Sequence, residues 1–320
     1  YTVTLTVSDS DGDSDSESAD VQVHNVVPTV TLDAGNTYTW SESRTAERSF
    51  SFSAADPGAD TLSITVDCGP GDYVMGSQTA TSFRCVFPDG PVADGSEVSV
   101  WADDGDGGSD TANAEITINN VAPTVELTGA EHVSEGDMET YSFTVTDPGD
   151  DTFNVLNATC DSLGTNGSMV GSPSYTSSGG SFMCYFPDGP KTANVLVRVE
   201  DSDHATDADS EKVVVVEIAN LPPTVTAPDD QSSNEGEPTS FRLGSFADPG
   251  ADADWKVDVS WGDATVEPQF IVGSEGSIPA HSHAYPDNGT YTVTVKVTDK
   301  DGGFDAETFE VSVANVPPTG

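Results

Sequence analysis

The chain has 320 residues, with 55 acidic residues against 10 basic ones and a formal net charge of −45. This charge excludes nucleic acid as a partner, disfavours anionic membrane surfaces and predicts a soluble polyanion. The sequence contains no apolar run long enough to span a membrane as a helix, so no membrane insertion is expected within it.

The first predicted element is a β-strand followed by an aspartate-rich segment, in "YTVTLTVSDSDGDSDSESADVQVHNVVPT". Tyr1, Val3, Leu5 and Val7 alternate with threonines, and this period of two predicts a half-buried strand. The phrase recurs almost position for position at 291–319, as "YTVTVKVTDKDGGFDAETFEVSVANVPPT". The chain is therefore predicted to be an array of repeats.

A boundary phrase fixes the period of the array. It occurs as "NVVPT" at Asn25, "NVAPT" at Asn120, "NLPPT" at Asn220 and "NVPPT" at Asn315. A repeat of about one hundred residues with short alternating strands is typical of an immunoglobulin-like β-sandwich. No long stretch has the apolar spacing of a helix. The predicted fold is all-β, with tandem immunoglobulin-like domains in a linear array.

The boundary phrases also predict where the domains begin and end. The expected divisions are the last hairpin of a truncated domain at 1–24, complete domains at 25–119, 120–219 and 220–314, and the start of a further domain at 315–320. A two-stranded hairpin alone is marginally stable in water. We therefore expect the sequence to be a window of a longer array.

Four cysteines fall as two pairs, Cys68 with Cys85 and Cys160 with Cys184. The second member of each pair lies in a matched phrase, "SFRCVFPDGP" or "SFMCYFPDGP", and the third repeat has "AHSHAYPDNG" there and no cysteine. Paired presence and paired absence favour a disulfide within each of the first two domains over buried free thiols. Disulfides indicate an oxidising, extracellular location.

The acids recur at fixed places in each repeat. In the last hairpin an aspartate is followed by aspartates at positions +2 and +6, and a "DPG" phrase earlier in the repeat carries two more. In each complete domain a glutamate follows the boundary phrase, at Glu42, Glu135 and Glu235, and a "PDG" or "PDN" phrase supplies one further aspartate. In an immunoglobulin-like sandwich the "DPG" loop and the last hairpin lie at the end where the chain enters, and the glutamate and "PDG" loops lie at the opposite end. Each junction between domains is therefore predicted to gather acids from two repeats.

The candidate ligands follow from this placement. The first junction is expected to use Glu42, Asp89, Asn120, Asp147, Asp151, Asp201, Asp203 and Asp207, and the second Glu135, Asp188, Asn220, Asp248, Asp252, Asp299, Asp301 and Asp305. The entry end of the first domain offers Asn25, Asp56, Asp60, Asp104, Asp106 and Asp110, and the opening hairpin offers Asp9, Asp11 and Asp15.

Packed carboxylates repel one another, and the scarcity of lysine and arginine leads us to expect that no protein cation offsets this repulsion. Calcium accepts six to eight oxygen ligands in flexible geometry, whereas magnesium demands a tight octahedron, so Asp-rich loops favour calcium as the cofactor. The alternative is that the acids form a solubilising coat. A calcium loop of the EF-hand type is disfavoured because "DSDGDSD" lacks the glycine and the glutamate that such a loop requires.

Further phrases carry a family resemblance. The third repeat, with "VDVSWGDAT" at 257–265 and "HAYPDNGTYTVTVKVTD" at 283–299, resembles the polycystic-kidney-disease-type (PKD) repeats of bacterial and archaeal surface proteins. The first two repeats resemble related immunoglobulin-like repeats of long bacterial extracellular proteins, although they lack the Trp-Gly-Asp phrase. The resemblance implies a PKD-like β-sandwich and a spacer, stalk or adhesive role. Calcium at the junctions would be similar to the arrangement in cadherins.

Other chemistry has weaker support. His281 and His283 share one strand face and could hold zinc, but His283 takes the place of a cysteine and is better interpreted as a core residue. Trp261 is expected in the core, and Tyr291 is expected to form a corner by bonding nearby backbone. The remaining tryptophans, Trp40, Trp101 and Trp255, could form a sugar platform, but isolated tryptophans on strands more often pack. No nucleophile and base recur together, so no enzyme activity is predicted.

Two functional classes remain. The first is a structural segment of a calcium-stiffened extracellular rod or filament, whose partners are neighbouring repeats. The second is an accessory array that binds a glycan or a surface protein. Repetition of the junction acids without a recurring exposed aromatic residue favours the first class.

Overall fold

The computed structural model describes residues 1–32, 37–162, 164–206, 211–265 and 267–317. Regular structure in these residues consists of 28 β-strands. None of the described residues belongs to a helix long and apolar enough to cross a membrane. The all-β fold predicted from the alternating sequence is confirmed.

The chain separates into two compact units. The first contains 1–122 with the loops 147–152 and 201–205, and the second contains 123–146, 153–200 and 206–320. Three hydrophobic cores lie within them, one in the first unit and two in the second. The domain boundaries derived from the sequence remain a proposal, which these three cores support.

The opening hairpin pairs β1 (Thr2–Ser8) with β2 (Ser14–Asp20) in antiparallel register. Val3, Leu5 and Val7 share one face, as the alternation predicts, but each side chain is more than half exposed. The expected half-burial is wrong for this chain because no other described strand pairs with the hairpin.

The first sandwich follows the boundary phrase. Its strands are β3 (Thr29–Leu32), β4 (Tyr38–Ser41), β5 (Arg48–Ala55), β6 (Ser63–Asp67), β7 (Asp72–Tyr73), β8 (Ser82–Val86), β9 (Val92–Asp103) and β10 (Ser109–Asn119). They form two sheets, ordered β4-β10-β9-β6 and β3-β5-β8-β7. Cys68 follows β6 and Cys85 lies in β8, so their disulfide joins the two sheets through the core.

The second sandwich repeats this plan. Its strands are β11 (Thr124–Thr128), β12 (His132–Ser134), β13 (Met138–Thr146), β14 (Phe153–Thr159), β15 (Ser168–Thr176), β16 (Gly179–Tyr185), β17 (Lys191–Asp201) and β18 (Glu211–Ala219). The sheets are β12-β18-β17-β14 and β11-β13-β16-β15. The disulfide between Cys160 and Cys184 again crosses from one sheet to the other, and both predicted bridges are present.

The third sandwich has no disulfide and a larger aromatic core. Its strands are β19 (Thr224–Thr226), β20 (Gln231–Asn234), β21 (Thr239–Phe241), β22 (Ser245–Ala247), β23 (Trp255–Ser260), β24 (Phe270–Val272), β25 (Gly276–Ser277), β26 (His281–His283), β27 (Gly289–Thr298) and β28 (Phe304–Ala314). Trp261 and Tyr285 are fully buried there, as is Phe241. Aromatic burial takes the place of the bridge because large rings bury extensive apolar surface.

In every sandwich the entering chain divides between the two sheets. The strand after the boundary pairs antiparallel, as β3 does with β5, and the next strand pairs parallel with the last strand of its domain. The parallel pairs are β4 with β10, β12 with β18 and β20 with β28. Because these pairs are parallel, the residue after the short strand lies beside the point where the chain leaves the domain. The recurring glutamate occupies that position.

Candidate metal centre

Glu42 follows β4 directly and is only 2% exposed. Its Oε1 accepts the N–H of Val121 at 2.8 Å, and its Oε2 accepts the N–H of Gly90 at 2.7 Å. These contacts fix the carboxylate against both the "PDG" loop and the outgoing linker. Such partners are needed because a buried carboxylate without hydrogen bonds would destabilise the fold.

Glu135 repeats these contacts in the second sandwich, where it is 1% exposed. It accepts the N–H of Leu221 at 2.7 Å and of Gly189 at 2.9 Å. Glu235 binds Val316 in the same way at 2.9 Å. The glutamate after the boundary is therefore an anchored side chain in all three sandwiches.

The first acidic cluster consists of two triads that share a residue. In the inner triad Glu42, Asp147 and Asp151 each offer an oxygen within 4.8 Å of the others, and in the outer triad Asp89, Asp151 and Asp203 do the same. All of these residues belong to the first compact unit. They come from two successive repeats, as the sequence predicted for a junction.

The second acidic cluster has the same construction within the second unit. Its inner triad is Glu135, Asp248 and Asp252, and its outer triad is Asp188, Asp252 and Asp301. Each residue takes the place of its counterpart in the first cluster. The agreement of two copies shows that the acids are placed by the repeat and not scattered over the surface.

Backbone hydrogen bonds hold the loops of the first cluster together. Pro88 of the "PDG" loop accepts the N–H of Asp150 at 2.7 Å, and Pro148 of the "DPG" loop accepts the N–H of Arg44 at 3.0 Å. A Cβ on Gly149 would approach the Glu42 carboxylate carbon to 2.5 Å. The "DPG" phrase therefore needs glycine so that its backbone can lie against the buried glutamate.

The second cluster is held in the same manner. Pro187 accepts the N–H of Ala251 at 2.7 Å. A Cβ on Gly250 would lie 2.5 Å from the carboxylate carbon of Glu135. The carboxylates are thus brought together by the backbone, which is what a preformed ion site requires.

Several oxygens in the clusters are buried without a hydrogen-bond partner. In the first cluster these are Oδ2 of Asp147 and Oδ2 of Asp151, and in the second Oδ2 of Asp252. Outside the triads, Oδ1 of the boundary residues Asn120 and Asn220 is also buried without a partner. An unsatisfied buried oxygen is costly, and an ion that it coordinates removes that cost. Carboxylate and amide oxygens together form the ligand type that calcium takes.

The electrostatics agree with an unmet demand for positive charge. Burial raises the pKa of Glu42 from 4.5 to about 7, and the neighbouring Asp151 and Asp147 add to the rise. Burial and the nearby Asp151 also raise the pKa values of Asp147 and Asp203. In the second cluster burial raises the pKa values of Glu135 and Asp252.

The first aspartate of each hairpin motif is a structural residue. Asp201 is fully buried, accepts the N–H groups of Asp203 and Ala205 on Oδ1, and accepts Nδ2 of Asn120 on Oδ2 at 2.8 Å. The same amide-to-carboxylate bond joins Asn25 to Asp104 and Asn220 to Asp299. This Asn–Asp latch ties the linker to the last hairpin and gives the boundary asparagine its position.

The third aspartate of the motif also serves the fold. Asp110 accepts the N–H of Val30 at 2.8 Å, and Asp305 accepts the N–H of Val225 at 2.8 Å. Asp207 lies outside the described residues. Asp110 and Asp305 belong to none of the four triads, whereas the middle aspartates Asp203 and Asp301 each belong to an outer triad.

The remaining candidates form no comparable triad among the described residues. Asp56, Asp60, Asp104 and Asp106 lie at the entry of the first sandwich, where burial and these neighbouring acids raise the pKa of Asp60. Asp9, Asp11 and Asp15 lie in the exposed hairpin, and Asp9 accepts the N–H groups of Asp11 and Asp13. Among described residues 1–24, which form the hairpin, neither a glutamate after a boundary phrase nor a "PDG" phrase occurs.

One expectation about charge is wrong. Lys300 lies between two of the predicted ligands, and its Nζ contacts the carboxylates of Asp188, Asp252 and Asp301, the first at 2.5 Å. A protein cation therefore does offset repulsion in the second cluster. Against the opposing effect of burial, these partners raise the pKa of Lys300 above its usual range. The sequence signal that could have predicted this contact is the lysine between Asp299 and Asp301 in the hairpin motif.

The two histidines that were considered as zinc ligands, and the predicted tyrosine corner, make contacts within the third sandwich. His283 stacks on Trp261 at 4.6 Å and bonds Asp263 at 2.8 Å, and His281 bonds Glu267 at 3.2 Å. Tyr291 donates to the carbonyl of Asp287 at 2.9 Å, which is the predicted corner.

The tryptophans give little support to a sugar platform. Trp255 is buried, and Trp40 stacks on Phe87 and meets Phe50 edge to face. Trp101 is 38% exposed. A single half-exposed ring in one repeat does not make a recurring platform.

Comparison with known proteins identifies one domain. Residues 220–313 match the family model described as PKD domain. No curated protein matches the chain.

The chain is also similar to several tandem-domain structures. Protocadherin Gamma B2 extracellular cadherin domains 1-5 match at 13% identity over 99% of this chain and 72% of that one, with a TM-score of 0.29. Titin domains A168-A170 match at 14% identity over 90% and 99%, with a TM-score of 0.31. Fibronectin(III)-like modules of Clostridium thermocellum CbhA match at 14% identity over 59% and 95%, with a TM-score of 0.25.

Proposed function

We propose that this chain is a structural segment of an extracellular array of β-sandwich domains, and that calcium bound at the two acidic clusters fixes each domain to the next. The observation that carries the proposal is the set of buried oxygens without hydrogen-bond partners in both clusters. Each cluster takes its acids from two successive repeats. An ion bound there would therefore link the repeats as well as relieve repulsion.

Ligand chemistry favours calcium over other ions. The clusters offer carboxylate oxygens, without the histidine or thiolate ligands that zinc prefers. Shared, overlapping triads suit an ion of flexible coordination, whereas magnesium keeps a tight octahedron and several waters. Two inter-sheet disulfides and the PKD match support an extracellular setting, where calcium is at millimolar concentration.

The decisive experiment is thermal unfolding with calcium, with magnesium and in metal-free buffer at equal ionic strength. Extracellular calcium modules bind at ~0.1–1 mM, so 10 mM free calcium would stabilise a site by up to ~2.7 kcal/mol. We expect a higher midpoint with calcium and a smaller rise with magnesium. If sodium chloride at matched ionic strength gave the same rise, the acids would be a solubilising coat.

A double variant tests the first cluster directly. Asp147→Asn with Asp151→Asn removes two charges and two free oxygens, while the N–H of Gly149 can still bond the side-chain oxygen that remains at position 147. We expect an unchanged or higher midpoint in metal-free buffer and a reduced calcium response. Glu126→Gln with Glu307→Gln removes the same charge from exposed strand positions and serves as the control. An undiminished calcium response in the cluster variant would contradict the site.

A structural role also predicts a change in dimensions. Without the ion, like charges repel and the linkers are free to bend, so small-angle scattering should show a broader distribution of distances. Calcium should narrow that distribution and increase the maximum dimension. If calcium raises the melting midpoint and leaves scattering unchanged, the ion stabilises domains without stiffening the array, and the accessory binding array becomes the better hypothesis.

A further inference from the structure

The two acidic clusters differ at one position of the hairpin motif. Between the first and second aspartates stands Ser202 in the first cluster and Lys300 in the second. The corresponding residues of the other two hairpins are Ser10 and Gly105. The lysine is thus peculiar to one junction.

Lys300 saturates the outer triad of the second cluster. Its ammonium group contacts one carboxylate oxygen each of Asp188, Asp252 and Asp301. An ammonium group has three donors, so all of them are used by this triad. Lys191 adds a second cation by bonding the other oxygen of Asp188. Three carboxylates and two ammonium groups leave little demand for another cation there.

The first cluster has the same triad without these cations. Ser202 donates its hydroxyl to Oδ1 of Asp151 at 2.5 Å and brings no charge. Val92 stands where the second repeat has Lys191. Arg44 lies nearby but pairs with Asp150, which belongs to neither triad. No lysine therefore offsets the negative charge of the outer triad in the first cluster.

A second observation shows that the second cluster still demands a cation at its inner triad. The side chain of Asp252 is 0% exposed, and its Oδ2 is buried without a hydrogen-bond partner even though its Oδ1 contacts Lys300. Lys300 satisfies one side of Asp252 and leaves the other for an ion.

We propose that Lys300 is a built-in substitute for one divalent cation, so that the first cluster takes an ion in each of its two triads and the second cluster takes an ion only in its inner triad. This inference rests on the proposed calcium role of both clusters. The ammonium group on the outer triad of one copy marks that triad as a cation position in the other. Without metal, the outer triad of the second cluster is then still joined by an ammonium group, whereas the outer triad of the first cluster has no such group.

Exchange of the two residues tests the proposal. Calcium bound per chain at saturation is measured by equilibrium dialysis, with titration calorimetry as the second readout. Lys300→Ser should bind one ion more than the wild type, and Ser202→Lys one ion fewer. Lys256→Ser and Ser10→Lys make the same charge changes away from the triads and should leave the ion count unchanged.

Metal-free melting provides an independent readout. Ser202→Lys should raise the midpoint because the new ammonium group offsets repulsion among Asp89, Asp151 and Asp203. Lys300→Ser should lower it, and calcium should restore it. If Lys300→Ser does not fold without metal, the count for Ser202→Lys decides alone.

The outcomes separate the two proposals. A wild-type chain that binds calcium, but whose ion count does not respond to Ser202→Lys, overturns the role of Lys300 alone. A wild-type chain that binds no calcium overturns the calcium proposal and this inference together.

Discussion

Glu42 shows how a single side chain can be both structural and responsive. Both of its oxygens accept backbone N–H groups, which would stabilise a carboxylate, and yet burial and neighbouring acids raise its pKa to about 7. The cost of the charge therefore exceeds what the two hydrogen bonds recover. A cation shared with Asp147 and Asp151 would supply the missing stabilisation.

This pKa predicts how stability depends on pH. Because the folded pKa lies above the ordinary 4.5, the folded chain holds a proton on Glu42 that the unfolded chain releases between these values. Stability in metal-free buffer should therefore be greatest below pH 4.5 as far as this group is concerned, and should fall as the pH rises through 7. Melting midpoints from pH 5 to pH 8 measure the slope.

Calcium should flatten this dependence between pH 4.5 and pH 7, because the ion takes the place of the proton on Glu42 and its binding releases protons. Glu42→Gln should flatten it without metal, although the amide would place an N–H donor against a backbone N–H and lower the midpoint overall. An unaltered slope in Glu42→Gln would assign the pH dependence to other groups.

The Asn–Asp latch predicts an effect on one element, the last hairpin of a domain. Asn220→Ala removes the donor from Oδ2 of Asp299, a residue only 1% exposed, and leaves a buried carboxylate oxygen without that partner. A hydrogen bond to a charged group contributes about 1.5–3 kcal/mol, so the third domain should lose stability of that order. Urea unfolding followed by the fluorescence of Trp255 and Trp261 reports on this core.

Asn113→Ala is the matched control for the latch. Asn113 also donates to a carboxylate, that of Glu97 at 2.7 Å, but on an exposed strand face. Its removal should change stability by less than about 0.5 kcal/mol. Equal losses in the two variants would mean that the latch adds nothing beyond an ordinary surface hydrogen bond.

Much of the fold could be predicted from the alternation of residues in the strands and from the sequence repeat. Alternation in "YTVTVKVTD" indicated β27, and the matched cysteine phrases indicated both bridges. The sequence could not predict that the entering chain forms one strand in each sheet, β3 and β4. β4, which makes the parallel pair, has only four residues and no distinct pattern. That division is what places Glu42 beside the exit of its domain.

Every acid of the four triads is among the residues that the sequence predicted, but the roles of the predicted residues could not be predicted. Regular spacing identified the acids but could not separate Asp203, which faces the cluster, from Asp201 and Asp110, whose carboxylates accept N–H groups. Those roles depend on local turn geometry, which the residue type alone does not determine. Lys300 was overlooked because a low overall count of basic residues says nothing about where each one lies.

Across the array, the three cores should respond differently to reductant. The bridges close loops with sequence separations of 17 and 24 residues, whereas the third core has none. In the chain-entropy model each such loop contributes ~3 kcal/mol. Reduction should lower the unfolding transitions of the first two domains and leave that of the third unchanged.

Calorimetry with and without reductant measures this difference, and the alanine pairs Cys68→Ala with Cys85→Ala and Cys160→Ala with Cys184→Ala assign each transition. Each double variant should lose a different reductant-sensitive transition. If the same transition stayed sensitive to reductant in both double variants, the assignment would be wrong.

The parallel pairing of β4 with β10, and of its counterparts in the other two sandwiches, also has a mechanical consequence. When a chain is pulled from both ends, the entering and the leaving strands of a domain are drawn in opposite directions along their length. Once the load passes β3 and reaches β4, the parallel pair of β4 and β10 is loaded in shear, and its hydrogen bonds must break together instead of one at a time. Each parallel pair should therefore resist tension along the chain, as the proposed structural role requires.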